Sequence, residues 1–190
     1  GMYGGCDFYT MKGICEALFR LVGADVKFSA RRDDPTFHPG RCAAMYAGDD
    51  LVGVMGQIHP NVAANYGFSF PVYVAEIRVP VLMAHKSGEI EYRPLPKYPA
   101  VTRDLSFVCD EDVEVGTVED TIKKAVGKLV EDIRLFDIYR GVQVGPGKKS
   151  VSMRVTLRAA DRTLTQEETE KDTAKIIEAL ERDLGIKLRG

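Results

Sequence analysis

Apolar and polar positions alternate along two stretches of the chain. From Arg103 to Asp110, Leu105, Phe107 and Cys109 interleave with Asp104, Ser106 and Asp110. From Lys148 to Arg158, Val151, Met153, Val155 and Leu157 interleave with Ser150, Ser152, Arg154, Thr156 and Arg158. A period of two predicts strands with one face in a core and the other in water. Ile133–Tyr139 reads as a third strand, followed by a glycine-rich, proline-containing turn over Gly141–Gly147. Two segments change to helical spacing. Val118, Ile122, Ala125, Val126 and Leu129 form an amphipathic stripe after the possible cap Thr117, with Gly127 fraying its end. Thr165 followed by Glu168 fits a capping box for a helix through Thr173, Ile176, Ile177, Leu180 and Leu184, which Gly185 ends. Ile186-Lys187-Leu188 makes a last short strand.

The order is βαββαβ, with crossovers long enough to be helices. Such a chain folds as a ferredoxin-like split βαβ with both helices on one sheet face and the other face open. The first half is less regular. Tyr9–Val22 carries Met11, Ile14, Cys15, Leu18 and Leu21 at helical spacing and stops at Gly23. Cys42–Ala47 and Leu51–Ile58 flank Gly48-Asp49-Asp50 as a hairpin, His59-Pro60 opens a short helix closed by Gly67, and Val72–Val79 alternates as a strand. Gly88, Pro94, Pro96 and Pro99 disfavour regular structure between the halves. The expected organisation is therefore α+β throughout: a small α+β unit over 1–85, a linker over 86–96 and the ferredoxin-like domain over 97–190.

Composition narrows the function classes. The chain has 190 residues, 45% hydrophobic and 28% charged, which excludes wholesale disorder. With 26 basic and 28 acidic side chains the net charge is -2, so a strongly basic, non-specific nucleic-acid binder is excluded while a local basic face is not. No apolar run reaches the roughly 18 to 20 residues that span a bilayer and no secretory signal opens the chain, so a cytoplasmic protein without membrane contact is expected. Gly1-Met2 reads as a cloning scar before a native or internal methionine, which points to an excised fragment. Cys6, Cys15, Cys42 and Cys109 are scattered without a C-x-x-C pair and are expected as free thiols.

Signals for stand-alone catalysis are weak. There is no phosphate-binding loop, dinucleotide fingerprint or nucleophile elbow. His38 and His59, each before a proline, are expected to cap or pack at turns rather than to hold a metal. His85 has no obvious partner, and the acidic runs Asp110-Glu111-Asp112 and Glu167-Glu168 are expected as solvated loop and helix-start charges. Cations instead gather on or beside the strands of the second half: Arg103, Arg140, Lys148, Arg154 and Arg158, with Lys149. Arg154 and Arg158 share a strand face with Ser152 and Thr156 by parity. On an open sheet such residues suit phosphates and base edges, although a solvated strand face needs polar residues in any case. Phe136 and Tyr139 fall on opposite faces by parity, so one of them is expected as an exposed stacking residue.

Four ordered motifs in the second half carry a resemblance. These are Tyr98-Pro99-Ala100-Val101-Thr102-Arg103-Asp104-Leu105-Ser106, Leu135-Phe136-Asp137-Ile138-Tyr139-Arg140-Gly141, Lys149-Ser150-Val151-Ser152, and Arg162-Thr163-Leu164-Thr165 before Glu167-Glu168. Together they resemble the ferredoxin-fold anticodon-binding domain at the C-terminus of the bacterial phenylalanyl-tRNA synthetase beta chain. The first half is similar to the end of that chain's catalytic-like domain, through Asp7-Phe8-Tyr9-Thr10-Met11-Lys12-Gly13, His38-Pro39-Gly40-Arg41-Cys42-Ala43 and Gly53-Val54-Met55-Gly56-Gln57-Ile58-His59-Pro60. The resemblance implies a partial class II synthetase-like antiparallel α+β domain in the first half, one that shares the class II sheet but not the arginines that hold ATP.

The resemblance further implies an (αβ)2 heterotetramer, with tRNA(Phe) and the synthetase alpha chain as partners and the active site in the alpha chain. ATP and Mg2+ would serve the whole enzyme, with no catalytic, cofactor or metal residue in this segment. A segment of this size is expected neither to aminoacylate nor to edit. The tRNA-binding candidates are Arg103, Phe136, Tyr139, Arg140, Lys148, Arg154 and Arg158. A ferredoxin-like module that binds a small molecule or dimerises is the alternative, and a metal-dependent hydrolase using His38 and His59 is a third.

Overall fold

The computed structural model describes residues 1–87 and 95–189. The chain divides into two compact units, Gly1–Glu91 and Tyr92–Gly190. Much of the linker expected over 86–96, including Gly88 and Pro94, lies outside the described residues.

The first unit is built on one long helix and an antiparallel sheet. Helix α1, Phe8–Val22, begins where Asp7 and Thr10 cap each other's backbone reciprocally, and ends at Gly23, whose left-handed φ of 76° lets its N–H return to the helix carbonyls. The strands are β1 (Met2–Tyr3), β2 (Lys27–Ala30), β3 (Phe37–Ala47), β4 (Asp50–Ile58) and β5 (Val72–Ile77), arranged β1-β5-β4-β3-β2. Met11, Cys15 and Phe19 of α1 pack into a core with Ala43, Met45, Val52, Met55 and Tyr73. The β3–β4 hairpin follows the expectation, and β3 starts earlier than expected. Its ladder jumps from Phe37 opposite Ile58 to Cys42 opposite Gly56, so His38-Pro39-Gly40-Arg41 bulges out of the sheet. Gly56 makes this possible, because a Cβ there would meet the Arg41 carbonyl and lie 2.9 Å from the Cys42 Cα.

Two short helices complete this unit. Helix α2, Pro60–Asn65, is capped by the His59 ring. The strand expected over Val72–Val79 stops at Ile77, because Val79–Ala84 forms helix α3 with Pro80 in its first turn. That helix and the edge strands β1 and β2 are too short for hydrophobic periodicity to reveal.

The second unit contains β6 (Val101–Asp110), α4 (Val115–Val126), β7 (Val130–Tyr139), β8 (Lys148–Leu157), α5 (Gln166–Leu184) and β9 (Lys187–Leu188), the expected βαββαβ order. Its antiparallel sheet runs β7-β8-β6-β9. Leu105, Phe107 and Cys109 of β6 and Val151, Met153, Val155 and Leu157 of β8 are buried with Val118, Ile122, Ile176 and Leu180 of the two helices. Both helices therefore cover one sheet face. Helix α5 has the expected capping box, Thr165 with Glu168, and ends at Gly185 in a left-handed conformation. Helix α4 differs from expectation: its N-cap is Glu114, not Thr117, which lies inside the first turn and receives the Thr121 hydroxyl on its carbonyl. The apolar stripe marks where the helix touches the core, and a helix can start before it.

Candidate nucleic-acid interface

In an antiparallel ladder, residues directly opposite share a face. Met153 stands between Leu105 and Leu135, so that row faces the helices. The open face carries Thr102, Asp104 and Ser106 from β6, Ser150, Ser152, Arg154 and Thr156 from β8, and Asp132, Arg134, Asp137 and Tyr139 from β7. The centre of this face is drier than alternation predicts. Ser150 and Ser152 are buried, and the Ser152 hydroxyl lies 2.8 Å from that of Ser106.

A β-bulge changes which aromatic rings reach this face. Leu135 pairs with Met153 and Asp137 with Ser152, so Phe136 is an extra residue in β7. Parity places Phe136 and Tyr139 on opposite faces, but the bulge resets the alternation and both rings occupy the open one. Phe136 is 53% exposed and its ring centroid lies 5.9 Å from the Arg154 guanidinium carbon. Tyr139 is 39% exposed, with the Arg189 guanidinium 5.9 Å from its ring. Arg189 is anchored by its backbone N–H on the Ser106 carbonyl and by a 3.0 Å bond to the Gln143 side chain. The Tyr139 ring folds back over Gly141, where any Cβ would collide with it. Each exposed ring thus has a guanidinium beside it, an arrangement suited to stacking bases next to phosphates.

The basic candidates are not free cations. Arg154 donates to both Asp104 oxygens at 2.7 and 2.8 Å, a bidentate pair that holds the Asp104 carboxyl below its ordinary value and raises the Arg154 guanidinium. Lys148 meets Asp110 at 2.6 Å and is raised by it, and Arg140 meets Glu111 at 2.7 Å and lowers that carboxyl. Arg158 follows β8, bonds Glu131 at 3.0 Å and donates to the Tyr98 carbonyl. Arg103 stands opposite Val155, in the helix-facing row, and donates to the Thr102 carbonyl. Lys149, opposite Cys109, is buried and donates to the Glu111 carbonyl. The face is mixed in charge rather than uniformly positive.

Sequence reasoning missed Arg134, Asp137, Gln143 and Arg189 as members of this face. Arg134 was legible in principle, because it shares parity with Asp132 on an edge strand. Arg189 was not, since its place depends on how β9 pairs beyond Leu188.

Among the described residues no group of three or more His, Cys, Asp or Glu side chains could hold a metal ion. His38 and His59 act locally, each accepting a backbone N–H through Nδ1, from Gly40 and Asn61 respectively. His85 does have a partner, the Asp50 carboxylate at 2.8 Å. The cavity between the second sheet and α5, lined by Leu105, Phe107, Ile177, Leu180, Ile186 and Leu188, holds about 10 Å³, room for a water, whereas an open cleft lined by Lys123, Lys128, Glu131 and Asp132 holds about 480 Å³. Among the described residues no helix is long and apolar enough to cross a membrane.

A four-stranded βαββαβ domain with an open, aromatic and arginine-bearing face is the class of module that residues 96–189 form, and they match the ferredoxin-fold anticodon binding domain family. Residues 3–79 match the phenylalanyl tRNA synthetase beta chain CLM domain. The chain belongs to the phenylalanyl tRNA synthetase beta chain family. It is 41% identical over 190 residues to the phenylalanine–tRNA ligase beta subunit of Clostridium acetobutylicum, covering 100% of this chain and 24% of that one. It is 42% identical over 184 residues to the corresponding subunit of Symbiobacterium thermophilum, covering 96% of this chain and 20% of that one. The chain thus spans about a quarter or less of the curated relatives it matches. A solved structure, a cryo-EM structure of Arabidopsis thaliana MSL1 A320V, covers 96% of this chain and 60% of that one at 12% identity, but its TM-score of 0.32 is too low to bear on fold or function.

Proposed function

We propose that the open face of the second unit binds the anticodon region of tRNA(Phe) within a phenylalanine–tRNA ligase, an (αβ)2 heterotetramer of the cytoplasm. The observation that carries this reading is the β7 bulge, which brings Phe136 and Tyr139 to one face, each beside a guanidinium. Stacking is worth about 1–3 kcal/mol per base and does not depend on base identity. Discrimination must come from polar groups beside the rings, and Asp137 and Arg189 are the candidates there. Arg140, Lys148, Arg154 and Arg158, already matched to carboxylates or carbonyls, would shape and orient the surface as well as meet RNA. Arg103, in the helix-facing row, would contribute at the domain's edge.

Binding here would orient the substrate rather than make or break bonds. ATP and Mg2+ would act elsewhere in the enzyme, as the family resemblance implies. The first unit would join the synthetase alpha chain. Ile14, Leu18 and Leu21 form an exposed apolar stripe on α1 beside its buried face, as expected of a surface covered in an assembly.

The test is a titration of this chain with a labelled tRNA(Phe) anticodon stem-loop at two salt concentrations, alongside a stem-loop with a changed anticodon. Affinity that falls with salt and with the anticodon change is expected, because phosphate neutralisation releases counterions. Binding indifferent to both would overturn the reading.

A further inference from the structure

The open face contains a pairing that breaks a rule the rest of the face obeys. Arg134 on the edge strand β7 stands directly opposite Arg154 on β8. Like charges directly opposite in an antiparallel pair are destabilising. Elsewhere on this face the partners are neutral or complementary: Asp132 opposite Thr156, Asp137 opposite Ser152, Tyr139 opposite Ser150, Asp104 opposite Arg154 and Asp110 opposite Lys148. Local conflicts of this kind concentrate at functional sites.

The two guanidiniums are held differently. Arg154 is fixed from the β6 side through Nε and Nη2 on the two Asp104 oxygens, and Phe136 lies against it. Arg134 is exposed and, among the described residues, forms no ion pair, although Asp132 and Asp137 share its face. Arg134, Arg154 and Asp104 by themselves carry a net charge of +1, while Asp132 and Asp137 on the same face bring the wider group to -1. A phosphodiester carries one negative charge and offers two oxygens, and planar guanidinium forks match that geometry.

We propose that Arg134 and Arg154 clamp a single backbone phosphodiester of the bound RNA, with the adjacent nucleotide against Phe136. This rests on the reading that the face binds RNA. It assigns Arg134 the role of a backbone-positioning residue, one that contributes affinity but no sequence preference. The clamp also accounts for the like-charge pair: its repulsion is tolerated in the free protein and removed when the phosphate enters.

The test compares wild-type chain with Arg134→Gln, using the anticodon stem-loop and its changed-anticodon counterpart across a range of salt. In the variant, the log–log dependence of affinity on salt should become shallower by about 0.7 to 1, the value of one phosphate contact. The preference between the two stem-loops should be unchanged, and the melting temperature of the RNA-free variant should be no lower than wild type. Stem-loops with one neutral methylphosphonate linkage at a time should reveal a linkage whose neutralisation weakens wild type but not Arg134→Gln. If wild type binds and the variant keeps the same salt dependence, or loses anticodon preference or thermal stability, the clamp is wrong while the RNA-binding reading stands. If wild type binds neither stem-loop at any salt, both fail.

Discussion

Cys42 lies on β3 immediately after the bulge, and burial pushes its thiol up to about 11. Burial likewise raises Cys15 on α1 and Cys109 on β6. A thiol is reactive as the thiolate, so these three remain protonated and sheltered at neutral pH, while Cys6 is half-exposed. At pH 8 a small alkylating reagent should label Cys6 and spare the other three until denaturant is added, as read by mass spectrometry of intact and unfolded protein. Early labelling of Cys42 would mean that β3 opens locally. Exposure governs Tyr139 in the opposite sense. Its ring is available because Gly141 has no Cβ to displace it, so the glycine acts through close approach rather than backbone conformation.

Helix α5 shows how much of an element a local sequence can specify. Thr165 and Glu168 satisfy backbone donors at its start, and Gly185 accepts the left-handed turn at its end, so both boundaries follow from residues within a few positions. Replacing Thr165 with Ala should cost about 1 kcal/mol, visible as a lower denaturant midpoint with an unchanged slope. Helix α4 shows the limit. Its N-cap Glu114 makes no side-chain cap bond, so no motif marks its start, and reading the apolar stripe alone places it three residues late. Strand β7 is the more consequential case. Ile133–Tyr139 reads as an extended run, yet whether Phe136 turns toward core or solvent is settled by its pairing with β8, where Ser152 faces one residue more than simple alternation allows. Bulges are properties of two strands, and a single-strand pattern does not contain them.

At the scale of the molecule, α1 has more apolar surface than its own unit can bury. Met11, Cys15 and Phe19 face the sheet, while Ile14, Leu18 and Leu21 remain exposed at 49, 39 and 85%. The double variant Leu18→Glu and Leu21→Glu should leave the melting temperature of this chain close to wild type and abolish co-purification of the full-length beta chain with the synthetase alpha chain. Loss of folding in the isolated chain would instead make the stripe part of the core.

The period of two in β6 and β8, the helical stripes and the glycine and threonine punctuation are local consequences of burying one face of each element. They made the βαββαβ order and the core legible, and the ordered motifs pointed to the family. Composition bounded the charge but could not distribute it. Which cations stand free and which are matched to carboxylates depends on partners far apart in sequence: Arg154 on Asp104, Lys148 on Asp110, Arg140 on Glu111. The same holds for Arg134 facing Arg154, and for Arg189 beside Tyr139. Charge pairing and stacking act across space over a few ångströms, so the makeup of the open face emerged only when the strands were set side by side.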